Sequence, residues 1–423
     1  MNKIMFLIFL LALALSFYSC AIRNYLNSSE TLNETKTFYG QMINNGKAMG
    51  WFNVPAKLIK TTDHLAIYLQ TKFHKQSQIP EEERDISLYA LNKLVQEFDY
   101  YYDEITNIYG GHSDIDNNSK IIILLMDINF SSKGSRVLGY FNPLDMHGYN
   151  EGEILYMDLS SANSDIDKSI GTMIHEFQHL INYNYVISGE RREMDSWLNE
   201  SLSESTSILF NKSTAETRIK EFNNINYYCF YTWDIPTNIS NYNGAKSFPN
   251  VLVNYPSASI FMHWLYKKNG SKSDIFKKIA DSKENTDYNK VLKSTSGGTT
   301  WDNLLLEWIS DIVSSNAAKP ESATVNMANG NINLYPGAMV VCDNYSGQEG
   351  GNIVKTNSNG KTIVLNKDTA LKGYTSVKAS VSSSISTVSK ARRSVIENGE
   401  TKKEEENQII NILLDRNGDV KKY

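Results

Sequence analysis

The segment Thr172-Met173-Ile174-His175-Glu176-Phe177-Gln178-His179-Leu180-Ile181 carries two histidines four residues apart, with a glutamate directly after the first. In a helix, residues four apart stand on one face, a turn from each other. Both imidazoles can then reach one cation at a Zn–N distance of about 2.0–2.1 Å. Glu176 falls where its carboxylate can touch a metal-activated water without binding the metal. That combination suits metal-assisted hydrolysis, in which the ion polarises a carbonyl and a carboxylate takes the water's proton. The competing assignment is a surface helix with two satisfied histidines, and a third ligand would decide between them.

A third ligand is available in Asp195-Ser196-Trp197-Leu198-Asn199-Glu200-Ser201-Leu202-Ser203-Glu204. A second helix, folding back after a short turn, brings one carboxylate to the metal, and the interval from His179 to Glu200 suits that return. Glu193 and Glu204 compete with Glu200 for the role. Two histidines and one glutamate leave a fourth position open for water, as in catalytic rather than structural zinc sites. His64, His74, His112 and His147 have no ligand spacing and are assigned no catalytic part.

Stepping outward, the elements that must position these residues can be read from periodicity. Trp51 to Val54 and His64 to Leu69 read as strands, and Glu83 to Ile108 as an amphipathic helix. Lys120 to Met126 is a continuous apolar run that predicts a buried strand, and Arg136 to Phe141 and Glu153 to Asp158 are further strand candidates. Helices are expected over Ile170 to Tyr185, Ser196 to Phe210, Ser257 to Lys268, Ser273 to Asp281 and Trp301 to Ser314. The Tyr- and Asn-rich stretch from Asn223 to Asn250 is too long for a simple connector. Beyond Pro320, short strand-like runs (Ala338 to Cys342, Thr362 to Leu365 and Gln408 to Asp415) surround a Ser-rich segment and a charged run.

With 423 residues the chain exceeds what one compact core usually needs. A net charge of -5 with scattered basic residues argues against a nucleic-acid partner. Lys3 followed by the apolar run Ile4 to Leu15 predicts an export signal, too short for a membrane span of about 20 residues. Phe17-Tyr18-Ser19-Cys20 resembles the lipobox of bacterial lipoproteins, although Phe17 stands where that group usually has an aliphatic residue. The resemblance implies lipidation at Cys20, a polar tether and attachment to a membrane surface of the cell envelope. An ordinary cleaved signal and a secreted protein is the alternative. Cys229 and Cys342 read as small buried residues, or at most one bridge.

The residues His175-Glu176-Phe177-Gln178-His179 and Trp197-Leu198-Asn199-Glu200 resemble the gluzincins, the thermolysin-like zinc metallopeptidases whose third ligand is the Glu of an Asn-Glu pair. Within that group the likeness is to hyicolysin-type peptidases, with kinship to the immune inhibitor A group. Glu97 to Tyr101, Tyr109-Gly110, Asp114 to Asn117, Ile121 to Met126 and Gly139-Tyr140-Phe141 add to it, over roughly Phe38 to Ser314. The resemblance implies that Glu204 orients a ligand histidine and that Leu138 to Phe141 is the edge strand along the cleft. Gly139 and Tyr140 would then bind an extended peptide substrate through the backbone. It also implies a Tyr or His near the developing oxyanion. Tyr255 is the first candidate, with Tyr183, Tyr231 and His263 competing. Ser201 stands where the group usually has Gly or Ala.

The expected fold is α+β and zincin-like, with a mixed-sheet upper subdomain, a mostly helical lower subdomain and a small β-rich C-terminal appendage. The expected divisions are a signal peptide (1–19), a lipid-anchored tether (20–36), a catalytic domain (37–319, divided near 185/186) and a β-rich region with a mobile segment (320–423). The expected activity is that of an exported endopeptidase with one catalytic Zn2+ and protein or peptide substrates. A lipid-anchored binding or adhesion protein on a vestigial zincin fold is the alternative, disfavoured by the intact Glu176. A zinc hydrolase acting on a non-peptide amide is a third. Oligomeric state is not legible, and the acidic loop at Asp114 to Asn118 lacks an EF-hand's ligand pattern, so no calcium is assigned.

Overall fold

A computed structural model describes residues 34–44, 47–73, 79–129, 136–230, 233, 253–295, 300–334, 337–347, 353–367, 375–380 and 409–410. The expected signal peptide, Cys20, the tether up to residue 33, His74, Tyr231, most of the Tyr- and Asn-rich stretch and the Ser-rich and charged runs of the tail lie outside them.

In chain order the strands of the first half are β1 (Thr35–Asn44), β2 (Lys47–Thr61), β3 (Leu65–Gln70), β4 (Ile121–Met126), β5 (Arg136–Val137), β6 (Gly139–Phe141) and β7 (Ile154–Asp158). Helix α1 (Leu88–Tyr109) separates β3 from β4. Six of these strands form one mixed sheet in the order β1-β2-β3-β4-β7-β6. Its centre is parallel, β3 with β4 and β4 with β7, while the flanking pairs are antiparallel. Parallel strands are covered on both faces, which is why Leu65–Gln70, Ile121–Met126 and Ile154–Asp158 are buried throughout. Alternate residues serve two cores. Ile67, Ile121, Ile123, Leu155 and Met157 face the large helical core. Tyr68, Ile122, Leu124 and Tyr156 face a smaller one closed by Phe38, Val54 and Leu58 of the curled β1–β2 hairpin.

Helices α2 (Leu159–Ser164), α3 (Ile166–Ile187), α4 (Ser196–Phe210), α5 (Lys212–Asn224), α6 (Asn254–Lys268), α7 (Asp274–Asp281), α8 (Asp287–Ser294) and α9 (Trp301–Ser314) follow. The helix carrying the histidines starts four residues before the predicted Ile170, because the Asp165 side chain caps it by accepting from Lys168 N at 3.3 Å. Likewise α6 begins at Asn254, so Tyr255 lies in its first turn rather than ahead of it. The turn between α3 and α4 is pinned from below. Arg191 donates to Asp281 (2.6 Å) and to the Tyr109 carbonyl (2.6 Å), and Asp195 N donates to Asp287 at 2.5 Å. These contacts fix where α4 starts, and hence where Glu200 arrives on its second turn.

Ser201, Ser203, Ser205 and Ser207 alternate along α4 and are buried. Their hydroxyls are satisfied locally or across the helix pair: Ser201 donates to Trp197 O (2.5 Å) and Ser207 to Gly171 O (2.9 Å). Small side chains there let α4 lie close against α3. In the tail, β8 (Gly330–Leu334), β9 (Met339–Cys342), β10 (Asn344–Gly347), β11 (Ile353–Ser358), β12 (Lys361–Asn366) and β13 (Thr375–Ser380) form two three-stranded sheets, β10-β13-β8 and β11-β12-β9. Val340, Val341, Ile363 and Val364 belong to the same buried cluster as Trp308 of α9, so these strands share a core with the helical half. Strand β14 (Ile409–Ile410) pairs in parallel with β5. Cys229 and Cys342 are buried and unbridged.

Gly139 is where the sheet edge meets α3. A Cβ there would stand 2.7 Å from Tyr156 O, 2.8 Å from Met157 Sδ and 3.1 Å from Thr172 Cγ2. Because the first of these atoms is backbone, the strand itself would have to shift. Gly139→Ala should therefore cost about 1–3 kcal/mol, in the range of overpacked core substitutions. Urea unfolding monitored by tryptophan fluorescence would measure this, and an unchanged midpoint would show that the edge strand has slack.

Candidate metal centre

His175 and His179 project from the same face of α3, and α4 packs back across them. The two Nε2 atoms lie 3.1 Å apart. Glu200 places Oε2 3.3 Å from His175 Nε2 and Oε1 3.6 Å from His179 Nε2. Among the described residues these three form a group whose ligand atoms all lie within 4.8 Å of one another, and all three are buried. Glu193 is exposed and stands outside it, which decides against that competitor. Glu204 faces the other nitrogen of His175, with Oε1 3.4 Å from Nδ1.

Glu176 is buried beside the pair. Its Oε2 accepts from Phe141 N of β6 at 3.1 Å, while Oε1 makes no hydrogen bond. Leu138 O accepts from Asp158 N at 2.8 Å. Partners in an antiparallel ladder alternate, so Gly139 and Phe141 turn their backbone groups outward, away from β7. The Tyr140 ring points to the opposite face. It stacks on Tyr156 with ring centroids 4.3 Å apart, and its hydroxyl accepts from Gln41 N at 2.7 Å.

Burial alone would depress the His175 pKa, but Glu200 and Glu204 outweigh it and raise the value to about 10. Burial alone would raise Glu200, yet His179 and His175 bring it down to about 2. For Glu204 burial is opposed by Arg218 and His175, and the result is also about 2. Burial dominates at Glu176 and pushes it up to about 7, restrained by the two histidines. A carboxylate poised near neutral pH is what a general base needs.

The donors fit a divalent cation. Two imidazole nitrogens face each other with a carboxylate between them, Glu200 Oε2 makes no hydrogen bond, and two nitrogens with one oxygen is a set that zinc accepts.

Arg218 was not found by spacing or motif. It reaches from α5 and donates twice to Glu204, Nε to Oε2 at 2.8 Å and Nη2 to Oε1 at 2.9 Å, and also to Glu221 at 3.0 Å. Ser259 of α6 donates to the same Glu204 carboxylate. A legible signal existed: Arg218 lies between Thr214 and Phe222 at helical spacing, a charge on the stripe that buries Phe222. Tyr255 is buried with its ring 5.0 Å from the Arg218 guanidinium carbon and edge-on to Trp233. That places it next to the residue that holds Glu204. Tyr183 lies one turn beyond His179, with its ring 5.9 Å from that of Phe141 and its hydroxyl 3.1 Å from His147 Nε2. His263 is two turns further along α6 from Tyr255, and burial lowers its pKa to about 4.

No family model matches the chain. It is similar to the neutral metalloprotease ShpI of Staphylococcus hyicus, 30% identical over 209 residues, which is 45% of this chain and 45% of that protein. The chain thus spans less than half the length of the curated relative it matches. That relative's name is of a metalloprotease, and the buried His-His-Glu group of this chain is one that could hold a metal ion.

A raised His175 has a direct consequence. With a pKa of about 10 it carries a proton at pH 7 in the metal-free protein, and a ligand nitrogen must be deprotonated to bind metal. Divalent-ion uptake at pH 7 should release about one proton per ion. Titration calorimetry in two buffers of different ionisation enthalpy would count it, and heats independent of buffer would contradict the assignment.

Proposed function

We propose that the chain is an exported zinc-dependent endopeptidase in which Glu176 acts as general base. The observation that carries this reading is the convergence of His175, His179 and Glu200, with Glu176 Oε1 unpartnered beside them. Similarity to a neutral metalloprotease supports it. His175, His179 and Glu200 would hold the zinc, which when bound polarises the scissile carbonyl and lowers the pKa of water.

The chain's own residues do the rest. Phe141 N–H holds Glu176 Oε2, which leaves Oε1 to take a proton from the attacking water. The same carboxyl group returns that proton to the leaving nitrogen as the peptide bond breaks. No covalent intermediate is needed. An extended peptide would add to the outer edge of β6 through the outward N–H and C=O of Gly139 and the C=O of Phe141, whose N–H is taken by Glu176. This makes the contribution of Tyr140 one of packing behind the strand, while its neighbours face the substrate. Glu204, held by Arg218, keeps His175 oriented. Tyr255 remains the proposed oxyanion partner, with Tyr183 as the phenol that stands by the edge strand. Export, lipidation at Cys20 and residence at the cell envelope rest on the leader sequence alone. The adhesion alternative leaves Glu176 without a purpose, since a binding module gains nothing from a buried base.

Glu176→Gln should keep one equivalent of zinc by elemental analysis. Its casein hydrolysis should fall by about 10²–10⁴-fold, the usual contribution of a general base. Wild-type protein that binds zinc yet cleaves neither casein nor a peptide library would favour the adhesion reading. Full turnover by the variant would remove Glu176 from its role.

A further inference from the structure

The two histidines are held differently on the side away from Glu200. His175 Nδ1 faces a carboxylate, Glu204, at 3.4 Å. His179 Nδ1 instead meets a neutral hydroxyl, Ser203 Oγ, at 3.1 Å, and Ser203 donates to Gln178 Oε1 at 2.5 Å. Ser203 and Gln178 are completely buried, so water does not compete for either bond. Ser203 lies on α4, three residues after Glu200, and Gln178 is the residue before His179.

A hydroxyl has one proton to give and lone pairs to accept with. Since Ser203 gives its proton to the Gln178 carbonyl oxygen, it faces His179 as an acceptor. The imidazole must then carry its hydrogen on Nδ1, and the Nε2 lone pair is left to point at Glu200 Oε1 and His175 Nε2, 3.6 and 3.1 Å away. The opposite polarity, with Ser203 donating to Nδ1, would put the hydrogen on Nε2, where a cation has to bind.

We propose that Ser203 and Gln178 form a two-member relay that locks His179 in the Nδ1–H tautomer and thereby sets the metal affinity of the site. Both are positioning residues, because neither touches the ion or the substrate. The relay also answers an electrostatic problem. Glu176, Glu200 and Glu204 already bring three buried carboxyl groups to the centre. A fourth behind His179 would need its own counter-charge, as Glu204 needs Arg218. An amide and a hydroxyl orient the ring without adding charge.

The inference rests on His179 being a metal ligand, and the test separates the two claims. Zinc affinity would be measured by chelator competition, and the His179 tautomer by long-range 1H–15N correlation, for wild type, Ser203→Ala, Gln178→Met and the double variant. Each single change should weaken zinc about 10–100-fold, the usual effect of losing a partner behind a ligand. The double variant should be no weaker than Ser203→Ala, because both changes cut one relay. Ser203→Ala should also lose the uniform Nδ1–H signal, and Ser203→Thr, which restores the hydroxyl, should regain it. Wild-type zinc affinity and tautomer in both Ser203→Ala and Gln178→Met would overturn the relay alone. Wild-type protein that binds no zinc would overturn the ligand assignment and the relay with it.

Discussion

Burying charge at one point organises this molecule. His175, Glu176, Glu200 and Glu204 are all essentially inaccessible to water, and each ionised group must recover the solvation that it loses. Two nitrogens 3.1 Å apart cannot both carry a proton toward each other. The carboxylate of Glu200, within 3.3 and 3.6 Å of them, makes the arrangement tolerable. A shared divalent ion would do the same with more charge. The positions of α3 and α4 follow from this meeting, because neither helix can slide by a residue without separating the charges.

Compensation then spreads outward in shells. Glu204 brings a second negative charge behind His175 and is met by the forked guanidinium of Arg218, a geometry matched to a carboxylate. That contact, together with the burial of Phe222 against Tyr228 and Trp308, holds α5 in place although its sequence is mostly polar. Arg218 in turn is covered by the Tyr255 ring, where the face of the aromatic favours a cation, and Ser259 completes the shell from the same helix, α6. Helices α4, α5 and α6 are thus tied to one histidine of α3 through polar contacts. Losing the Arg218 partner would leave an uncompensated buried charge, which costs far more than an exposed pair ever gains.

Much of this was readable beforehand, and the part that was not has a physical reason. The histidine pair and the strands at Ile121 to Met126 and Ile154 to Asp158 announce themselves because period and composition are local properties. The interval from His179 suits Glu200 as a third ligand but leaves Glu193 and Glu204 in competition; the exposed position of Glu193 and the approach of Glu204 to His175 Nδ1 are what separate them. Ser203 was missed because its meaning depends on what it faces across a helix interface; the spacing of Arg218 shows only that a charge is buried with Phe222, not that Glu204 meets it. The early start of α3 was missed for a different reason: the Asp165 side chain caps it, and the turn it opens is mostly polar (Asp167, Lys168 and Ser169). The shared core between the tail strands and α9 was likewise invisible, since short apolar runs do not reveal which surface they cover.

If Glu176 is the base and β6 the substrate platform, as proposed, the fold couples the two. Phe141 donates its amide to Glu176 from a strand whose other side is bonded to β7. The residue that would accept the water's proton is therefore fixed to the strand that would align the peptide. Any displacement of β6 moves the base with it, which keeps the base in register with the platform but makes the strand intolerant of bulk. Gly139 is the point at which that intolerance shows: its missing side chain lets backbone, sheet and α3 approach within contact distance. A small residue two positions before Phe141 is thus part of the same geometric requirement, because in the proposed reaction alignment of a peptide and removal of a proton would depend on one strand staying where it is.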